Sequence, residues 1–281
     1  MTKLTVTKHH GFGNDFLVLV SITGGPVDGM AAVARQLCQR RRGIGADGLL
    51  VVSEALNCAP SAGQPAPDVS MTLFNADGSR AEMSGNGIRC VAQAWARRIG
   101  MSEGTLHVLT DAGVRTVRVL PTSDPSTILA SVDMGPVMPI AAPANWDALG
   151  CDPMRPVAHL SLGNPHSVVA VDDVATVDLA DLGGEVPEVN LEIVAAGPGR
   201  DAITMRVHER GAGITEACGT GACAAAFAAA SWGLVPPDVR EIIVHMDGGD
   251  AKVCLDDPRP GEVTLIGPAT HIATITVTVD V

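Results

Sequence analysis

The sequence predicts an α/β protein of the mixed α+β type. It is expected to contain two pseudo-symmetric domains, each a mixed, mostly antiparallel sheet wrapped around a central buried helix. Three observations lead there. Short runs rich in Val, Ile, Leu and Thr recur along the whole chain. The stretch GTGACAAAFAAASW at 219–232 reads as a helix and carries no charged residue on any face, so it must be buried on every side. Finally, SGNGIRCVA at 84–92 is echoed by CGTGACAAA at 218–226, an offset of 134 residues in a chain of 281.

Taken in order, LTVTK near 4–8 and FLVLVSI at 16–22 read as strands. Residues 28–41 form an amphipathic surface helix: Asp28 caps its start, Met30, Val33, Ala34, Leu37 and Cys38 share one face, and Gly43 ends it. Segment 57–68, with three prolines among small residues, reads as a mobile surface loop. VSMTLF at 69–74 is a strand, and the helix at 86–98 gathers its charges at its end. Strands are expected again for VRTVRVL at 114–120, HSVVAV at 166–171, ITMRVH at 203–208 and REIIVHM at 240–246. In the closing segment Ile275, Val277 and Val279 alternate with Thr274, Thr276 and Thr278, the period of a half-buried strand. HGFGND, GADG, GNPH and VNLEI read as compact polar patches between strands. LPTSDPST at 120–127 and GPATH at 267–271 read as linkers, and the last strand returns to the first half. The expected domains are therefore 1–125 with 269–281, and 126–268.

A net charge of −12, from 19 basic and 31 acidic residues, argues against a nucleic-acid or anionic-membrane partner and for a small-molecule ligand. No stretch approaches the roughly 18 apolar residues that span a bilayer, and the start lacks a signal-peptide core, so a cytoplasmic location is expected. The seven cysteines are odd in number and contain no CxxC pair, which suggests neither disulfides nor a zinc site. His9 and His10 point to opposite faces of an extended chain and so are not joint metal ligands.

The repeated turns carry the chemistry. Ser84 and Cys218 each stand where an apolar helix begins, beside N–H groups and a dipole end that favour an anion such as a carboxylate. Two such side chains facing one cleft suit proton transfer on opposite faces of one carbon. A thiol at a helix start is expected to have its pKa lowered towards neutrality, whereas a serine hydroxyl is a far weaker acid. Gly219, Gly221 and Ala224 also satisfy GxGxxA, a dinucleotide signature, but ten mostly polar and small residues separate ITMRVH from Gly219, against that reading.

With FNADGSRAEMSGNGIR, VHERGAGITEACGTGAC, HGFGND, GADG, GNPH and VNLEI in this order, the chain resembles diaminopimelate epimerases over essentially its whole length. The resemblance implies epimerisation of LL- and meso-diaminopimelate at one α-carbon, with no metal, pyridoxal phosphate or nucleotide cofactor, in a homodimer serving lysine and peptidoglycan biosynthesis. It implies that Asn14, Asn75, Asn164, Asn190 and Arg210 hold the distal amino-carboxylate end of the substrate, with Glu209 near its ammonium group. Backbone N–H groups of Gly85, Asn86, Gly219 and Thr220 would grip the reacting carboxylate. His166 and Glu209 would set the protonation of the catalytic pair. Cys218 matches one catalytic cysteine of the family, and Ser84 stands in the place of the other. Ser84 has three readings: a Cys→Ser replacement that traps a substrate-like state, a native serine assisted by Glu82 or His166 or replaced in function by one-base chemistry, or a site that binds without turnover. A racemase acting on another amino acid is the alternative to diaminopimelate. Cys90, inside the helix, is expected to face the core.

Overall fold

The computed structural model describes residues 2–21, 29–55 and 63–279. The chain falls into two compact units, Met1–Val132 with Gly267–Val281, and Asp133–Ile266.

In the first unit β1 (Thr2–Gly11) and β2 (Asn14–Ser21) form a hairpin whose turn holds Phe12 and Gly13 at positive φ. After α1 (Met30–Leu37) comes β3 (Gly48–Glu54), which lies parallel to β2. A parallel neighbour needs a crossover connection, and α1 supplies it. Next come β4 (Val69–Asn75), antiparallel to β3, the short β5 (Arg80–Ala81) and α2 (Gly85–Ile99). β6 (Gly104–Thr110) runs parallel to β4, and β7 (Gly113–Pro121) and β8 (Thr127–Pro136) add antiparallel strands.

The second unit repeats this plan. β9 (Met138–Pro139) pairs with β10 (Val157–Ser161), which forms a hairpin with β11 (Pro165–Ala170). α3 (Leu179–Glu185) is the crossover to β12 (Asn190–Ala196), parallel to β11. β13 (Ala202–Glu209), β14 (Gly213–Thr215), α4 (Gly219–Ser231), β15 (Glu241–Met246) and β16 (Gly249–Leu255) correspond in order and sense to β4, β5, α2, β6 and β7. β17 (Glu262–Val279) pairs first with β16, and from Thr270 onward it pairs with β1 in the first unit.

Each central helix packs on several strands of its own unit: α2 on β1, β2, β3, β4 and β7, and α4 on β10, β11, β12, β13, β15 and β16. Every residue of α4 from Gly219 to Ala226 is buried, together with Ala228 and Ala229. Glycine and alanine leave room for the strands to approach closely, which explains the absence of a polar face. α2 is buried from Gly85 to Ala96 and exposes only its last turn, with Arg97 and Arg98 beside the negative end of the dipole. Cys90 is fully buried and burial pushes its thiol up to about 12, so it is a core residue.

Several expectations are corrected. The surface helix is shorter than 28–41: it ends at Leu37, and the carbonyls of Leu37 and Cys38 are capped by N–H groups of Ile44, Gly45 and Ala46. Its predicted inner face, Met30, Val33, Ala34, Leu37 and Cys38, is buried. Its first cap position is Gly29, at φ 84° with no side-chain cap, and Asp28 lies outside the described residues, as do 57–62 of the expected loop and Cys58. The stretch at 120–127 is the connection of a hairpin between β7 and β8 inside the first unit, fastened by Asp124 to Ser126 and Thr127; the change of unit comes at 132/133. VNLEI is no polar patch between strands, because Asn190 opens β12 and Glu192 is wholly buried in it. Strands β3, β6, β8, β10, β12 and β16 escaped the sequence reading.

Candidate active site

Ser84 and Cys218 occupy the same local structure. Each is the N-cap of its helix in extended conformation, φ −142° and ψ 121° for Ser84 against −123° and 117° for Cys218. Each side chain accepts the N–H three residues on: Gly87 N to Ser84 Oγ at 3.0 Å, and Gly221 N to Cys218 Sγ at 3.4 Å. The carbonyls of both caps take the next N–H, from Ile88 and Ala222, each at 2.9 Å. By helix geometry the donors of Gly85 and Asn86, and of Gly219 and Thr220, have no acceptor within their helices, which makes each turn an anion seat.

In the second unit the expected residues converge. His166, fully buried on β11, bonds through Nδ1 to Glu192 Oε1 at 2.7 Å and through Nε2 to Asn164 Oδ1 at 3.1 Å. Asn164 Nδ2 donates to Thr220 Oγ1 at 3.2 Å, and Thr220 Oγ1 lies 3.4 Å from Cys218 Sγ. Asn190 is held at both ends, donating to Pro165 O at 3.1 Å and accepting the Arg210 N–H at 2.9 Å. Glu209, at the end of β13, accepts from Thr215 Oγ1 and from the Cys218 thiol. Glu209 and Arg210 are therefore not a mere solvated pair: as a residue Glu209 is only partly covered, yet its carboxyl is enclosed, and burial pushes its pKa up.

The thiol differs from expectation. Cys218 is 4% exposed, and burial, reinforced by the nearby Glu209 and Glu192 carboxyls, pushes its pKa well above the ordinary thiol value despite the donors at the helix start. Desolvation of a thiolate outweighs one turn of helix dipole. Cys218 is a proton-holding thiol in the ligand-free chain. Burial likewise pushes Glu192 up, while His166 partly opposes it.

The first unit holds a different set. Asn86 Nδ2 donates to Asn14 Oδ1 at 3.0 Å, and Asn14 Nδ2 donates to Asp47 Oδ2 at 2.7 Å. Arg89, fully buried in α2, donates to Asn86 Oδ1 at 2.7 Å, Gly85 O at 3.1 Å and Pro268 O at 3.1 Å, and stacks on Phe12 with 5.0 Å to the ring centre. A buried cation thus adds to the dipole at the Ser84 turn. Asp47 and Asp15 are tied by Arg40, and Lys8 meets Asp15 at 2.8 Å. Asn75, at the end of β4, donates to Ser79 Oγ at 3.0 Å.

Register makes the two units comparable residue by residue. Val18 pairs with Leu50 as Val168 pairs with Glu192, and Leu49 pairs with Phe74 as Leu191 pairs with His208. Phe16, Leu50 and Asn75 therefore stand in the first unit where His166, Glu192 and Glu209 stand in the second. Around Ser84 those three places carry no ionisable group.

Glu192 and Arg89 escaped the sequence reading. Both had a legible signal, a lone charge inside an apolar strand and inside a buried helix, where an ion is almost never enclosed without partners.

Comparison with known proteins agrees. The sequence profile of the family described as Diaminopimelate epimerase matches residues 6–139 and 159–272. The chain is 35% identical to the diaminopimelate epimerase of Desulfitobacterium hafniense, covering 96% of each chain, and 37% identical to that of Zymomonas mobilis, covering 94% of each. Among solved structures, a predicted epimerase of Pseudomonas aeruginosa superposes with a TM-score of 0.73 at 16% identity over 99% of this chain and 100% of that one. A hydroxyproline epimerase of Agrobacterium vitis superposes with 0.69 at 16% identity, covering 98% of this chain and 92% of that one, a likeness of fold. With the profile spanning both repeated units and the relatives matching nearly end to end, this chain belongs to the diaminopimelate epimerase family.

Proposed function

We propose that this chain interconverts LL- and meso-diaminopimelate by moving the α-proton between two seats, Cys218 and Ser84, which face one substrate carbon from the two units. The observation that carries the reading is the matched pair of helix-start caps at 84 and 218, each offering a proton-bearing side chain beside an anion seat. The reacting carboxylate takes the donors of Gly85, Asn86, Gly219 and Thr220. Charge developing at the α-carbon is then met by dipoles already in place. Asn14, Asn75, Asn164, Asn190 and Arg210 hold the distal head group, with Glu209 near its ammonium.

Proton accounting follows from the site. Cys218 holds a proton at rest, so it is ready to donate one to the carbon. To act as the base it must first pass that proton to the Glu209 carboxyl that accepts it; sulfur then takes the α-proton, and the opposite seat returns a proton to the other face. Ser84 is the weak seat. A hydroxyl needs a neighbouring base, and Phe16, Leu50 and Asn75 fill the places that hold His166, Glu192 and Glu209 beside Cys218. This supports a chain in which exchange at the Cys218 face outpaces full epimerisation. The protein is further read as a cytoplasmic homodimer acting in lysine and peptidoglycan biosynthesis, without cofactor; no described helix is long and apolar enough to cross a membrane.

The test is proton exchange in heavy water on each diaminopimelate stereoisomer, with the chain as it stands and with Ser84→Cys. Little epimerisation is expected from the first and a large gain from the second. Equal, vigorous turnover by both would refute the role given to the hydroxyl, and absence of exchange by both would remove diaminopimelate as substrate.

A further inference from the structure

The side-chain bonds behind Cys218 form a directed line. Asn164 sets its polarity. Its Oδ1 has no proton, so the Nε2 of His166, 3.1 Å away, must supply one; its Nδ2 donates to Thr220 Oγ1 at 3.2 Å. Having accepted there, the Thr220 hydroxyl has its own proton to give, and Cys218 Sγ lies 3.4 Å away. At the far end Glu192 Oε1 and His166 Nδ1 share one proton over 2.7 Å. Whichever of the two holds it, Nε2 keeps its own, so the direction of the line is fixed. The ends also lie close in space: the empty Cβ position of Gly221 is 2.6 Å from Glu192 Oε1 and 3.3 Å from Cys218 Sγ. Glu192 is fully buried, and its Oε2 has no hydrogen-bond partner, an arrangement that apolar packing alone would not retain. In the first unit the printed chain of bonds runs the other way, from Arg89 through Asn86 and Asn14 to Asp47.

We propose that Glu192 is a positioning residue which, acting through His166, Asn164 and Thr220, delivers a hydroxyl donor to the Cys218 sulfur and so stabilises the thiolate that takes the substrate's α-proton. The identity of that proton rests on the proposed function; the hydrogen-bond line does not. The ionisable groups facing the sulfur and the imidazole are Glu209 from β13, Glu192 from β12 and His166 from β11. Removing Glu192 frees His166 to place its single proton on Nδ1. Nε2 then accepts, Asn164 turns its amide to donate to it, and the Thr220 proton goes to Asn164 instead of to sulfur.

The experiment measures alkylation of Cys218 by iodoacetamide from pH 6 to 10, resolved by mass spectrometry, in the full chain and in Thr220→Val, Thr220→Ser, Glu192→Leu and the Val/Leu double variant. Leucine is tolerated by the architecture, since Leu50 holds the equivalent place in the first unit. One lost donor to a thiolate should slow alkylation about tenfold at a given pH below the thiol pKa and move the profile up by about one pH unit. That is expected for Thr220→Val and for Glu192→Leu, with Thr220→Ser like the parent and the double variant no slower than Thr220→Val alone. Coincident profiles for Thr220→Val and the parent would overturn the proposal, as would effects that multiply in the double variant. Should Glu192→Leu not fold, the Val and Ser arms decide. Alkylation needs no substrate, so a failure of the diaminopimelate reading would appear in the heavy-water exchange and leave this result unchanged.

Discussion

Two glycines at matching places give a sharp test of the duplicated architecture. Gly87 and Gly221 each stand three residues after a cap, and neither has positive φ, so alanine is allowed by the backbone at both. A Cβ at Gly87 would meet Ser84 Cβ at 3.1 Å, Ser84 Oγ at 3.2 Å and Leu50 Cδ2 at 3.4 Å, contacts that relax within a few tenths of an ångström. Helix propensity favours alanine by up to about 1 kcal/mol, so Gly87→Ala should lie within about 1 kcal/mol of the parent. At Gly221 the new atom would come within 2.6 Å of Glu192 Oε1, which is held by His166 and enclosed on all sides. The carboxyl must move, its bond to the imidazole breaks, and a buried polar group loses its partner. Overpacking and the lost bond each cost about 1–3 kcal/mol. After the propensity gain, Gly221→Ala should be destabilised by about 2–3 kcal/mol relative to Gly87→Ala. Urea unfolding followed by circular dichroism measures this: with slopes of about 2–3 kcal/mol/M the midpoints should separate by about 1 M. Coincident midpoints, or a larger loss at Gly87, would refute the claim that a carboxyl fills the space under the second turn and a leucine the space under the first.

Other perturbations follow from the same contacts. Cys218→Ala should abolish exchange at the α-carbon by about 10³-fold or more in both the Ser84 and the Ser84→Cys backgrounds, read by deuterium incorporation; retention of exchange would move the acid/base role elsewhere. His9 is fully buried against Gln93 and Thr7, and burial pushes its pKa down to about 4. A histidine held neutral in the fold contributes stability that is complete above the unfolded value near 6.5 and is lost as pH falls towards 4. The loss should be on the order of 3 kcal/mol over that window, and His9→Gln should abolish this part of the pH dependence. Asp15 is raised by burial but lowered more strongly by Arg40 and Lys8, so its net pKa is depressed. Its stabilisation is present above the unfolded carboxyl pKa and is lost as pH falls through the folded one. Asp15→Asn should therefore destabilise by about 1–2 kcal/mol at neutral pH, allowing for the exposure of Arg40, and by much less in acid. A pH-independent difference would sink that assignment.

Local pattern carried much of this protein's description. A helix without a charged face has one physical solution, burial, and the chain's recurrent β-branched runs supply the strands that bury it; both central helices begin and end within two residues of the sequence expectation. The repeat at Ser84 and Cys218 was legible for a similar reason. Capping turns are local, and like sequences produced like backbone angles and the same bond to the third residue on. Strands such as β3 and β12 were not legible, because fully buried parallel strands lack the polar alternation that marks β17.

The tertiary structure alone decided the chemistry of the site. Position 192 is only one acid in VNLEI until β11 lies parallel beside it and brings His166 within 2.7 Å. Likewise Arg89 is an ordinary helical residue until Phe12 and Pro268 close over it. The thiol of Cys218 shows the limit most plainly. A helix start viewed along the chain argues for a low pKa, but desolvation and two carboxyls brought from other strands reverse the sign. Caps and periodicities act between neighbours in sequence; ionisation depends on everything within a few ångströms, which only the folded chain assembles.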